Sequence, residues 1–135
     1  NSQNLYPVNA EKILQLINNE RLNTGVQSLH KNSKLSLAAQ KKALSLVQEN
    51  YFAHTTPQGK KFYEWIEETG YEYDIVGENL AEEFLTSEEI VKAWMQSKKH
   101  QENILNPTYL ETGIAVLQTE DARYKIVVQL FGRRK

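Results

Sequence analysis

The chain has 135 residues, 40% hydrophobic and 24% charged, with a formal net charge of −1 from 16 basic and 17 acidic side chains. That length supports one domain with one core, and the balanced charge supplies no field to gather nucleic acid or an anionic membrane. It has no cysteine, which excludes disulfides, thiolate chemistry and cysteine-held zinc within the chain.

Residues 1–8 are polar and turn-rich and read as an N-terminal tether to a single domain over 9–135. The chain starts without a methionine or a signal peptide and so reads as a processed or trimmed form. Asn9 is an N-cap, with Glu11 in the first turn. Ala10, Ile13, Leu14 and Ile17 recur at helical spacing, and Gly25 follows the end. A second helix is expected from about Ser33 to Asn50, with the stripe Leu35, Ala39, Ala43, Leu46 and Val47. His30 to Asn32 reads as loop, and His30 has no assigned role.

Tyr51 to Gly59 breaks the helical pattern, because Pro57 disfavours helix at Thr56 and Gly59 permits a tight turn. His54 therefore sits on a loop after a long helix. Phe62, Trp65 and Ile66 mark a short helix stopped by Gly70. A short strand is expected around Gly77 to Ala81. Thr86 and Glu89 have capping-box spacing, with Leu85 and Ile90 as the hydrophobic staple. The buried face of that helix is Ile90, Val91, Trp94 and Met95, and its end is expected between Ser97 and His100. The last third alternates as strands do: Ile114 to Leu117, then Tyr124 to Phe131, joined by a turn over Thr119 to Arg123. This predicts a terminal hairpin with at least one apolar face covered by helices, in an α+β fold. Arg133-Arg134-Lys135 reads as a solvated tail. No apolar run is long enough to cross a bilayer.

Two of the three histidines lie at element ends beside a candidate carboxylate. His54, Glu78 and His100 together are the usual material for holding a divalent metal or moving a proton. Each also has a structural reading. His54 can bond the backbone of its own loop, Glu78 can cap a turn between Gly77 and Asn79, and His100 can complement a helix C-terminus. Ser97, three residues before His100, shares a helical face with it if the helix continues. No nucleophile elbow surrounds that serine, and hydrogen bonding to its own backbone is the simpler account.

The ordered segments Ile17-Asn18-Asn19-Glu20-Arg21, Phe52-Ala53-His54-Thr55-Thr56-Pro57, Gly77-Glu78-Asn79-Leu80-Ala81, Val91-Lys92-Ala93-Trp94, His100-Gln101-Glu102-Asn103-Ile104-Leu105, Thr112-Gly113-Ile114 and Gln129-Leu130-Phe131-Gly132 resemble the CAP superfamily (cysteine-rich secretory proteins, antigen 5, pathogenesis-related 1) in its bacterial SCP-domain branch. The resemblance spans roughly Glu11 to Gly132. It implies an α-β-α sandwich with a small, mainly antiparallel sheet between helical layers. It also implies a central cleft that in many members carries two His and two Glu and binds divalent metal, often zinc. His54, Glu78 and His100 match three of the four positions, and Ser97 stands where the second Glu would be. Zinc, if bound, would have His54 and His100 as ligands, with Glu78 beside the metal or positioning a water or a ring N–H.

The resemblance further implies an exported, extracellular or cell-surface protein, with a lipid anchor on a cysteine upstream of Asn1 as one form of attachment. Three functions follow from it. The first is a binding module for a host protein or a small lipid or sterol. The second is a zinc-dependent hydrolase with Glu78 as general base. The third is an exported domain with a vestigial cleft. The binding module is the preferred expectation.

Overall fold

The computed structural model describes residues 7–84, 86–118 and 125–135. The elements are α1 (Ala10–Asn23), β1 (His30–Lys31), α2 (Ser33–Gln48), α3 (Phe62–Glu67), β2 (Tyr73–Glu82), α4 (Ser87–Gln96), α5 (Lys98–Leu105), β3 (Glu111–Gln118) and β4 (Lys125–Arg134). The sheet order is β1-β3-β4-β2. β4 is antiparallel to both β2 and β3, and the short β1 runs parallel to β3.

β4 divides the interior in two, because successive side chains of a strand point to opposite faces. Val127 and Phe131 pack with Ile13 and Ile17 of α1, Ile90 and Trp94 of α4 and Ile104 of α5. Ile126, Val128 and Leu130 pack with Leu35, Ala39 and Leu46 of α2 and Ile66 of α3. The result is the α-β-α sandwich, with helices covering both faces of the sheet.

The local signals explain most helix starts. Asn9 Oδ1 accepts from Lys12 N at 2.8 Å, Asn32 Oδ1 accepts from Lys34 N and Leu35 N, and Thr86 Oγ1 accepts from Glu89 N. Each satisfies amides that have no partner within the helix. Gly113 is required by packing: a Cβ there would run into the backbone of Leu35 and Ser36 at the start of α2.

Five expectations need correction. The strand around Gly77 to Ala81 is a ten-residue strand, Tyr73–Glu82. The loop at His30-Lys31 is β1. The helix beginning after Thr86 stops at Gln96, the chain breaks at Ser97 (φ −102°, ψ 122°), and a further helix covers Lys98–Leu105. The C-terminal basic residues are not all tail, since β4 runs through Arg134 and Arg134 pairs with Glu111 at 2.9 Å. Val8, read as the end of a tether, is only 5% exposed and belongs to the core, and Pro7 O accepts from Ser87 N. Residues 1–6, the staple residue Leu85, the turn Thr119 to Arg123 and Tyr124 lie outside the described residues.

Arg21 clamps the two halves of the helical layer. It is fully buried, and its guanidinium donates to Gln27 O at 2.7 Å, Ile104 O at 2.8 Å, Asn106 O at 3.0 Å and Tyr109 O at 2.9 Å. The planar fork thereby satisfies carbonyls at the end of α5 and in the loop beyond it. Burial pushes its pKa down, yet a guanidinium remains charged at any ordinary pH.

Candidate functional site

The site forms where β2, the loop after α2, and α5 meet. Its floor is Glu78, on β2 and 4% exposed. Glu78 Oε1 lies 2.7 Å from His54 Nδ1 and 3.6 Å from Lys42 Nζ. The side chains of Lys42 and Glu78 are both fully buried, whereas that of His54 is 58% exposed. Lys42 Nζ also donates to His54 O at 2.6 Å. The ammonium therefore holds both the carboxylate and the backbone of the residue that the carboxylate holds. An ionised carboxylate only accepts, so His54 donates from Nδ1 and turns Nε2 away from Glu78.

Burial dominates the electrostatics. It pushes the Glu78 carboxyl above its usual range against the opposing pull of His54 and Lys42. It pushes the Lys42 ammonium down against the pull of Glu78. The second oxygen, Oε2, is buried with no protein partner.

The second histidine is set independently. The break at Ser97 starts α5, and His100 falls in its first turn, where His100 Nδ1 lies 2.8 Å from Ser97 Oγ. This corrects the placement of His100 near a helix C-terminus: a helix start disfavours a cation rather than complementing one. Burial pushes the His100 pKa down, and His54 adds to that. Its ring stacks on Trp94 with centroids 6.2 Å apart, and Trp94 Nε1 is tied to Leu80 O.

Amides join the two halves. Asn79 Nδ2 donates to His100 O at 3.1 Å, and Asn103 Nδ2 donates to Asn79 Oδ1 at 2.8 Å and Glu78 O at 3.2 Å. His54, Glu78, Ser97 and His100 line one cleft of about 520 Å³, together with Phe62 and Tyr109. Gly77 leaves room for the Tyr109 hydroxyl, which a Cβ would strike. The sequence reading missed Lys42, Asn103 and Tyr109. Lys42 had a signal: it falls among Leu35, Ala39, Ala43 and Leu46 on the buried face of α2, where an unpaired charge is not tolerated.

The family resolves on comparison with known proteins. Residues 14–131 match the cysteine-rich secretory protein family, CAP. The chain belongs to the CAP family. It is 35% identical over 109 residues to the uncharacterised Bacillus subtilis protein YkwD, covering 81% of this chain and 42% of YkwD. It is 26% identical over 106 residues to the uncharacterised membrane protein YlbC of the same organism, covering 78% of this chain and 31% of YlbC. The CAP chain thus spans less than half the length of either relative. Among solved structures, an outer surface protein of Borrelia burgdorferi superposes with a TM-score of 0.86 at 26% identity, covering 93% of this chain and 92% of that one. An extracellular SCP-domain protein of Bacillus anthracis superposes with a TM-score of 0.84 at 22% identity, covering 92% and 40%, a likeness of fold.

Zinc is the group that the CAP resemblance implies for this cleft, and the donor set gives a divided fit. Each imidazole has Nδ1 engaged, by Glu78 or Ser97, which is how an outer hydrogen bond aims Nε2 at a metal. A catalytic zinc takes three protein ligands and a water. Among the described residues, no three His, Cys, Asp or Glu side chains are grouped to hold an ion. Glu78 stands behind His54, held by Lys42, and Ser97 brings no charge. Two imidazoles line the cleft, and the residues do not fit a three-ligand hydrolase centre.

Proposed function

We propose that this CAP domain is a binding module that works outside the cell and takes its ligand in the cleft between His54 and His100. One observation carries the choice of binding over catalysis: the acid on the cleft floor is buried and engaged by Lys42 and His54. A general base needs an oxygen within hydrogen-bond reach of the water it activates. Oε1 is already shared by two partners, and Oε2 is buried. Glu78 here fixes the shape of the cleft.

The location outside the cell rests on the neighbours, one named an outer surface protein and one an extracellular protein. Among the described residues, no helix is long and apolar enough to cross a membrane. Attachment through a lipid upstream of Asn1 belongs to the same proposal. Phe62 and Tyr109 give the cleft an aromatic wall suited to a small lipid or sterol or to a side chain of a partner protein.

The test uses a fluorescent sterol and zinc chloride in separate titrations. Sterol binding that perturbs the NMR signals of His54, His100 and Tyr109 supports the reading. Zinc-dependent turnover of peptide or ester substrates that disappears in Glu78→Gln overturns it in favour of the hydrolase. A second reading, a divalent ion held by the two rings, rests on their free Nε2 atoms. Calorimetric zinc binding lost in a His54→Ala/His100→Ala variant supports that reading, and equal heats in both proteins remove it.

A further inference from the structure

The two edges of the sheet are treated differently. On β2, side chains occupy two of the outward carbonyls: Asn103 donates to Glu78 O and Trp94 to Leu80 O. On the opposite side, β1 covers β3 only at Glu111 and Thr112. Thr112 O accepts from Asn32 N on the β1 side, so Thr112 directs its main-chain groups away from β4. Backbone groups alternate in direction along an antiparallel strand. Ile114 and Val116 therefore also direct N–H and C=O away from β4, and no described segment pairs with them.

This edge, open among the described residues, borders a groove between the start of α1 and α2. Two adjoining cavities of about 610 and 500 Å³ share Ala10, Gln40 and Ile114. The groove is largely uncharged, with one acid, Glu11, and one base, Lys31, towards the β1 end. An acyl chain would leave the amides of Ile114 and Val116 unmatched, whereas an extended backbone matches them. Exposed edges with unpaired N–H and C=O groups are templates for strand addition.

We propose that the open β3 edge is a second binding site, separate from the His54–His100 cleft, which takes an extended, uncharged peptide segment of about five residues from a partner protein as an added strand. The segment continues the sheet where β1 leaves it, after Lys31, and recognition is through main-chain hydrogen bonds to Ile114 and Val116.

The probe is an end-blocked pentapeptide of alternating threonine and valine, read by amide hydrogen exchange on the full chain. The expected result is that saturating peptide slows exchange at Ile114 and Val116 by about tenfold or more. A peptide N-methylated on its main chain has the same side chains and should give no protection. Gln40→Trp should fill the groove from α2 and abolish the effect. Val116→Pro removes an N–H that β4 does not use and should weaken binding by about tenfold. If that variant does not fold, Gln40→Trp and the N-methylated peptide still decide. The proposal is overturned by unchanged exchange at both amides, by equal binding of the N-methylated peptide, by protection from decanoate in place of the peptide, or by a peptide-independent dimer that protects the same amides.

Discussion

Replacing Lys42 by methionine removes the charge beneath the cleft while keeping most of the volume. The wild-type ammonium lies 3.6 Å from Glu78 Oε1 and donates to His54 O at 2.6 Å. Without it, Glu78 is a fully buried carboxylate with His54 as its one remaining partner, and its escape is to take up a proton. From an ordinary pKa of 4.5, holding that proton costs at most about 3.4 kcal/mol at pH 7 and about 0.7 kcal/mol at pH 5, upper limits because burial already raises the wild-type carboxyl. The orphaned carbonyl of His54 adds roughly 1 kcal/mol at either pH. The sign follows from proton counting: in the variant the folded state binds the extra proton, so its stability falls as pH rises. Urea denaturation should therefore show a loss of up to about 4 kcal/mol at pH 7 that shrinks to about 2 kcal/mol or less at pH 5. Adding Glu78→Gln removes the charge that needed a partner and should recover most of the loss at pH 7. Equal losses at the two pH values, or a double variant less stable than Lys42→Met alone, would refute this reasoning.

Three further outcomes follow. Arg21→Lys should destabilise by about 3 kcal/mol or more, because one ammonium cannot reach four carbonyls spread from Gln27 to Tyr109; a thermal melt within about 1 kcal/mol of wild type would contradict the clamp. Gly113→Ala should cost about 1–3 kcal/mol or more, from collision with the start of α2, whereas Gly25→Ala, where nothing lies within 4 Å but φ is +78°, should cost only about 1 kcal/mol. The His100 ring should titrate in NMR below its ordinary 6.5. The folded state then binds fewer protons than the unfolded state, so this group's contribution to stability is present above 6.5 and is lost as pH falls through the folded value. A midpoint at or above 6.5 would overturn that assignment.

The helices were legible because their caps and apolar periods are local. Asn9 and Thr86 cap where their signals were readable, Asn32 caps α2 from a stretch read as loop, and the stripes of α1, α2 and α4 are buried or half-buried. β2 was mostly hidden because Gly77, Glu78 and Asn79 interrupt its alternation. Those polar residues are buried for the site, with partners supplied by α2, α5 and the His54 loop. The end of α4 at Gln96 falls within a residue of the expected range, but the new helix that starts at Lys98 was not legible. Nothing in Gln96-Ser97-Lys98-Lys99 forbids a continuous helix, and tertiary packing of His100 against Trp94 accompanies the turn. At the site, His54, Glu78, Ser97 and His100 were named for their chemistry and line one cleft, although Glu78 lies inside β2 and not near an element end. Lys42 was missed because a lysine doublet on a helix normally faces water, and only its place within the apolar stripe told otherwise.

The central claim is that Lys42, Glu78 and His54 act as one unit that fixes the imidazole with Nε2 towards the cleft. Two-bond proton–nitrogen correlations on ¹⁵N-labelled protein report this directly. The account predicts that His54 carries its proton on Nδ1 with Nε2 bare, and that this preference is lost in Glu78→Gln. A proton on Nε2 with Nδ1 bare, or a tautomer indifferent to the loss of Glu78, would contradict it.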